Sequence, residues 1–290
     1  IIEAGNPASN ESEREFFRRL KDIPLSSNVA AFGSTRHKNT PVSADEGLIK
    51  LLSAETQYVS IFGKANAEDV RSVLGTTLEE NLRMIYESVQ LLVSQGRRVI
   101  FDAEHFFDGY IEDSEYALAA LTAAHEGGAQ TICLCDTNGG RLPSEIYDIA
   151  SRLKETGFNL GIHAHDDIGC GVANTLSAVQ AGFNHVQGTL LGMGERCGNA
   201  NLSAIIPTLM LKLGMDCIPQ QKLRLLTKQA RTVAEIANVL LPANLPYIGK
   251  MAFAHKAGMH IDALSKRQGA FEHIQPELVG NKRRILLSEL

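Results

Sequence analysis

The feature that most constrains this chain is a repeating unit, a short apolar run followed by an amphipathic helical stretch, recurring roughly every 30 to 40 residues. Apolar runs at 1–4, 28–32, 57–62, 98–103, 129–135, 160–164 and 185–189 read as strands. Between them, 11–21 carries Phe16, Phe17 and Leu20 on one side, and 78–94 carries Leu82, Ile85, Val89, Leu92 and Val93 at helical spacing. The segments 144–156 and 172–181 follow the same pattern. Strand–helix repeats of this kind call for a parallel sheet with covered faces.

Two architectures satisfy that demand. A doubly wound open sheet usually announces itself with a glycine-rich phosphate loop after its first strand, and none is present. The polar residues with chemical potential instead stand at or just past strand ends: Glu3, Ser34, Lys64, Glu104, Asp136, His163 and His165. A barrel gathers all its strand ends around one mouth. The expected fold is therefore an α/β protein, a (β/α)8 TIM barrel. It shows seven of its eight strands, and the first is expected to be missing, since Ile1 opens inside an apolar run. On this reading 1–214 is the barrel, strands 2 to 8. The strand rhythm stops near Met215, and 215–290 forms a helical and loop-rich subdomain, with a helix at 220–240, that lends residues to the active site.

Composition narrows the function. At 44% apolar over 290 residues, the chain can bury one large core with an appendage. A net charge of −5 leaves no electrostatic footprint for nucleic acid or an anionic membrane. The local run Lys282-Arg283-Arg284 reads as a solvated face, or as a contact for a phosphorylated cofactor. Five cysteines without paired CxxC motifs fit neither a disulfide framework nor a structural zinc site, which points to a reducing, cytoplasmic setting. There is no signal peptide, and no apolar run approaches the ~18 residues that a membrane span needs.

Four segments carry chemistry. In Gly161–Asp167 (GIHAHDD), His163 and His165 are two apart on a strand and point to one side, either as half of a metal site or as a hydrogen-bonded core pair. Gly192–Asn199 (GMGERCGN) offers Glu195, Arg196 and Asn199 from a loop whose three glycines allow close backbone approach; a tight turn with a surface ion pair is the plainer reading. Asp102 and Glu104 share one face of a strand end, where paired acids can divide proton roles or simply cap the next loop. Asp136-Thr137 ends a buried strand with a hydroxyl and backbone N–H groups suited to an anion. No nucleophile elbow or nucleophile–base pair is evident, so the chemistry reads as metal-assisted.

Together these segments resemble the acyl-condensing branch of the metal-dependent barrel family that includes the 2-isopropylmalate, homocitrate and citramalate synthases, with hydroxymethylglutaryl-CoA lyase as a cousin. The resemblance spans nearly the whole chain, from Ile2–Asn10 (IEAGNPASN) onward. Phe101–Tyr110 (FDAEHFFDGY), Leu134–Gly140 (LCDTNGG) and Glu277–Arg284 (ELVGNKRR) look most like the citramalate subgroup. It implies condensation of acetyl-CoA with pyruvate, for isoleucine biosynthesis, by a homodimer using Mg²⁺ or Mn²⁺, with Zn²⁺ also compatible. It further implies His163, His165 and Asn199 as metal ligands, Glu104 and His260 (in GMHIDA) as catalytic residues, and Thr137, Asp102, Glu195 and Arg196 as substrate contacts. The family's first strand carries an Arg-Asp pair that this chain does not contain. Phe271 stands where relatives often have tyrosine. A longer 2-oxo acid, or a lyase reaction using Cys197, are the alternatives.

Overall fold

The computed structural model describes residues 1–267 and 269–286. Seven strands form one sheet: β1 (Ile2–Glu3), β2 (Val29–Ser34), β3 (Tyr58–Lys64), β4 (Arg98–Glu104), β5 (Thr131–Asp136), β6 (Leu160–Ala164) and β7 (His185–Gln187). Their order is sequential, β1 to β7, and every adjacent pair is parallel. A doubly wound sheet must reverse its strand order at a switch point. This one never does, which is barrel topology. All seven expected strands are present among the described residues, within a few residues of their anticipated bounds.

Local chemistry explains the elements. β5 is buried along its whole length, as a central strand covered on both faces should be. The Leu78–Ser94 helix starts where the Thr77 hydroxyl accepts from the Glu80 N–H, and it buries Met84, Ile85, Val89 and Leu92. The Ser114–Gly127 helix is capped by Asp113 and ended by Gly128 in the left-handed region. It packs closely on its neighbour at Gly127, where an added Cβ would lie 2.9 Å from both the Tyr86 carbonyl oxygen and Val89 Cβ.

The chain divides into two compact units, Ile1–Gln187 and Gly188–Leu290. The second contains the helices Leu202–Lys212, Leu226–Ile236 and Gly258–Lys266, and a small parallel pairing of Ala254–His255 with Arg284–Ile285. The single helix expected at 220–240 is not formed. Gln220–Leu225 is a 3₁₀ segment, and the α-helix that follows stops at Ile236 with Asn238 left-handed (φ 52°), a conformation asparagine tolerates and a helix cannot continue through. The Thr227 hydroxyl donates to the Val279 carbonyl and anchors the start of that helix. Asn281 is buried and donates to the carbonyls of Tyr247 and Gly249, both at 2.9 Å.

Candidate active site

Because β1 to β7 are parallel, their C-terminal ends share one edge of the sheet, and strand register decides which side chains become neighbours. Lys64 is the register partner of Glu104, Cys135 of His163, and His163 of Gln187. Lys64 Nζ lies 2.8 Å from Glu104 Oε2, so a cation fixes the carboxylate at the end of β4. Just past the end of β5, Thr137 Oγ1 accepts the His105 N–H at 2.8 Å. His105 itself is left-handed (φ 57°), a turn that brings the chain from Glu104 back over the end of β5.

At β6, the rings of His163 and His165 are 5.1 Å apart, centroid to centroid. The strand's alternation places them on one side, as the spacing in the sequence required. His163 Nδ1 is 2.8 Å from Gln187 Oε1. Gln187 Nε2 in turn donates to Asp102 Oδ1 at 2.7 Å, and the Ser60 hydroxyl donates to Asp102 Oδ2 at 2.7 Å. Asp102 is 6% exposed. Burial pushes its carboxyl up to about 6, against the pull of hydrogen bonds from Ser60, Gln187 and Cys133. Glu3 belongs to the same group. Although the residue as a whole is exposed on the edge strand, desolvation of its carboxyl and then the charge of Asp102 push that group up to about 7, with Ser60 bonding to it. Asp136 is also held above the usual carboxylate range by burial, while its Oδ2 accepts from Asn174 Nδ2 at 3.2 Å.

The thiols nearby are buried and held in the protonated form. Cys133 and Cys135 are buried, and both are pushed above the ordinary thiol range; for Cys133, burial is the largest cause.

The remaining sequence candidates lie in the second unit. Asn199 follows the left-handed Gly198, its N–H donates to the Gly192 carbonyl at 3.1 Å, and its buried Oδ1 has no hydrogen-bond partner. Glu195 and Arg196 are exposed on the same loop. His260 stacks on Phe271, ring centroids 3.9 Å apart and 12° from parallel, and meets His255 edge-on at 5.9 Å. His255 and Arg283 both bind the Glu272 carboxylate, which those bonds hold below its usual range.

Two imidazoles on one strand end suit a divalent cation. Among the described residues, however, no group of three or more His, Cys, Asp or Glu side chains is placed to hold one. The donor set present is therefore the His163–His165 pair, with the Asn199 amide oxygen as an uncommitted donor elsewhere in the chain. Sequence reading singled out His163, His165, Glu104 and Thr137. It missed Gln187 and Ser60, because their importance lies in cross-strand register, which no local motif announces.

Comparison with known proteins shows the family. Residues 1–233 match the HMGL-like family, and 247–290 match the homocitrate synthase post-HMGL domain-like family. The (R)-citramalate synthase of Aquifex aeolicus is 53% identical over the entire chain, which covers 55% of that protein. The 2-isopropylmalate synthase of Sulfolobus acidocaldarius is 33% identical, and the chain covers 72% of it. The chain thus spans about half the length of the citramalate synthases it matches. An HMG-CoA lyase from Bacillus subtilis shares the fold, with a TM-score of 0.64 at 20% identity over 79% of this chain and 77% of that one.

Proposed function

Since the chain belongs to the HMGL-like family, we propose that its protein condenses acetyl-CoA with pyruvate to give citramalate and free CoA. The observation that carries the choice of pyruvate is identity: 45 to 53% over the full chain to proteins named (R)-citramalate synthase, against 33% to one named 2-isopropylmalate synthase. The cofactor would be a divalent metal held by His163 and His165, and Asn199 is carried over as a ligand by resemblance alone. Mg²⁺ or Mn²⁺ suits an oxygen-rich substrate complex best. When bound, such an ion would polarise the ketone of the 2-oxo acid and stabilise the charge that develops on its oxygen.

The protein's own residues then have separable tasks. The Thr137 hydroxyl, oriented by the His105 N–H, receives the carboxylate of the 2-oxo acid. One of two bases, Glu104 (fixed by Lys64) or His260, takes a proton from the acetyl methyl group. The enolate carbon attacks the ketone carbon, and the ketone oxygen takes up a proton. Water then cleaves the thioester and releases CoA, which makes the condensation irreversible. His260 is carried over as a second base by resemblance alone, and either base could serve either proton step. Solvent deuterium exchange separates them. With a non-reacting 2-oxo acid analogue bound, the base that removes the methyl proton is the one whose replacement, Glu104→Gln or His260→Gln, stops deuterium entering acetyl-CoA.

The test of substrate is thiol release with pyruvate, 2-oxoisovalerate and 2-oxoglutarate in parallel, with Mg²⁺ or Mn²⁺. Release with pyruvate alone, lost in His163→Ala, is the expected result. Preference for a longer acid would overturn the substrate and leave the reaction class intact.

A further inference from the structure

We propose that Asp102 and Ser60, acting through Gln187, determine which nitrogen of His163 carries its proton and so keep Nε2 ready to bind a divalent cation. The inference rests on His163 being a metal ligand. It concerns three residues whose work lies beneath the site and not on the substrate.

Donors and acceptors alternate along a polar chain that crosses β3, β4, β7 and β6. Ser60 donates to Asp102 Oδ2 at 2.7 Å, and Gln187 Nε2 donates to Asp102 Oδ1 at 2.7 Å. Both carboxylate oxygens are thus engaged inside the protein, and Asp102 is nearly inaccessible. That makes it a poor substrate contact. A carboxylate only accepts hydrogen bonds, so it obliges Gln187 to turn its NH₂ group toward it. An amide has two ends, and the other end of Gln187 must then be the oxygen. Gln187 Oε1 faces His163 Nδ1 at 2.8 Å and can only accept. The proton of a neutral imidazole therefore sits on Nδ1, and the lone pair is on Nε2. Metal-bound histidines commonly have their second nitrogen fixed in this way, by a carboxylate or carbonyl. Here the carboxylate acts at one remove, with an amide as the transmitting element. Burying an acid costs too much for packing alone to explain it.

The alternative orientation is disfavoured at both ends. With Gln187 reversed, its carbonyl oxygen would meet the Asp102 carboxylate, acceptor against acceptor. Its NH₂ would donate to His163 Nδ1, force the proton to Nε2, and close that nitrogen to a cation. A change at Asp102 should therefore be felt at His163, two side chains away.

The experiment uses the purified full chain labelled with [¹⁵N]histidine and stripped of metal by a chelator. Long-range ¹H–¹⁵N correlation reads each tautomer, and the His163 signals are those lost in His163→Gln. The expected result is an Nδ1–H tautomer in the wild type. In Asp102→Asn the new amide can donate to Gln187, and the His163 proton should move to Nε2. Mn²⁺ affinity should then fall roughly 10- to 100-fold. Gln187→Met keeps the volume and removes both hydrogen bonds, and it should abolish the Nδ1–H preference; it decides the matter if Asp102→Asn does not fold. An unchanged Nδ1–H tautomer in the folded variants would overturn the proposal. Failure of the wild type to bind Mn²⁺ would sink the metal reading instead, while the tautomer would still report on the relay.

Discussion

At the scale of single residues, the strand ends carry the chemistry and the layer just below carries its support. Glu104→Gln keeps the shape of the β4 end but removes the proton acceptor, so kcat should fall on the order of 10²- to 10⁴-fold while Mn²⁺ affinity is retained. Isothermal titration beside steady-state kinetics checks both halves of that expectation. His185, a layer lower on β7, offers a pH test. Burial, followed by the charge of the chain's N-terminus, pushes its imidazole down to about 4 from 6.5. As pH falls, the unfolded chain binds this proton first. The stability due to the neutral ring is complete above about pH 6.5 and is lost between there and about pH 4, on the order of 2 to 3 kcal/mol. A His185→Leu variant lacks that loss, so its Tm relative to wild type should rise as pH drops from 7 to 4.5. A constant gap across those pH values would contradict the assignment.

At the scale of elements, close approach and buried pairing hold the strand ends in register. Gly109, in the Phe106–Glu112 helix, brings that helix against the loop after β3. A Cβ there would lie 2.5 Å from the Ala65 carbonyl oxygen and 2.8 Å from Asn66 Cα, both backbone atoms that cannot swing aside. Gly109→Ala should therefore destabilise by about 1 to 3 kcal/mol in urea unfolding, although alanine is the better helix former. The loop after β2 is tied down differently. Arg36, 4% exposed, binds Glu80 and Glu87 of the Leu78–Ser94 helix, each at 2.7 Å. Arg36→Met would leave the buried Glu80 carboxylate with the largely exposed Arg83 and the Asn39 N–H, and should cost about 3 kcal/mol. Such features explain what could be read from the sequence. The seven strands were legible because apolar runs and helical periodicity are local signals. His163 and His165 were legible because strand alternation is local too. Ser60 and Gln187 were not, since they reach Asp102 and His163 only through cross-strand register. The helix expected at 220–240 failed for a related reason: its periodicity was genuine, but Asn238 and the Thr227–Val279 bond end and anchor it by conformation and tertiary contact.

At the scale of the whole molecule, the strand order is the decisive fact. A sequential parallel sheet gives every strand end the same edge, so that Lys64, Glu104, Thr137, His163 and Gln187 stand side by side although 123 residues separate the first from the last. No helix among the described residues is long and apolar enough to cross a membrane. We propose that this edge serves a metal-dependent carbon–carbon bond formation between acetyl-CoA and pyruvate. The most direct test follows [2-¹³C]pyruvate by NMR in the presence of acetyl-CoA, the full chain and Mn²⁺ at catalytic concentration. The account predicts conversion of the ketone signal into the tertiary alcohol carbon of citramalate, dependent on the metal and absent in His163→Ala. An unchanged ketone signal, from folded protein shown to have bound Mn²⁺, would contradict it.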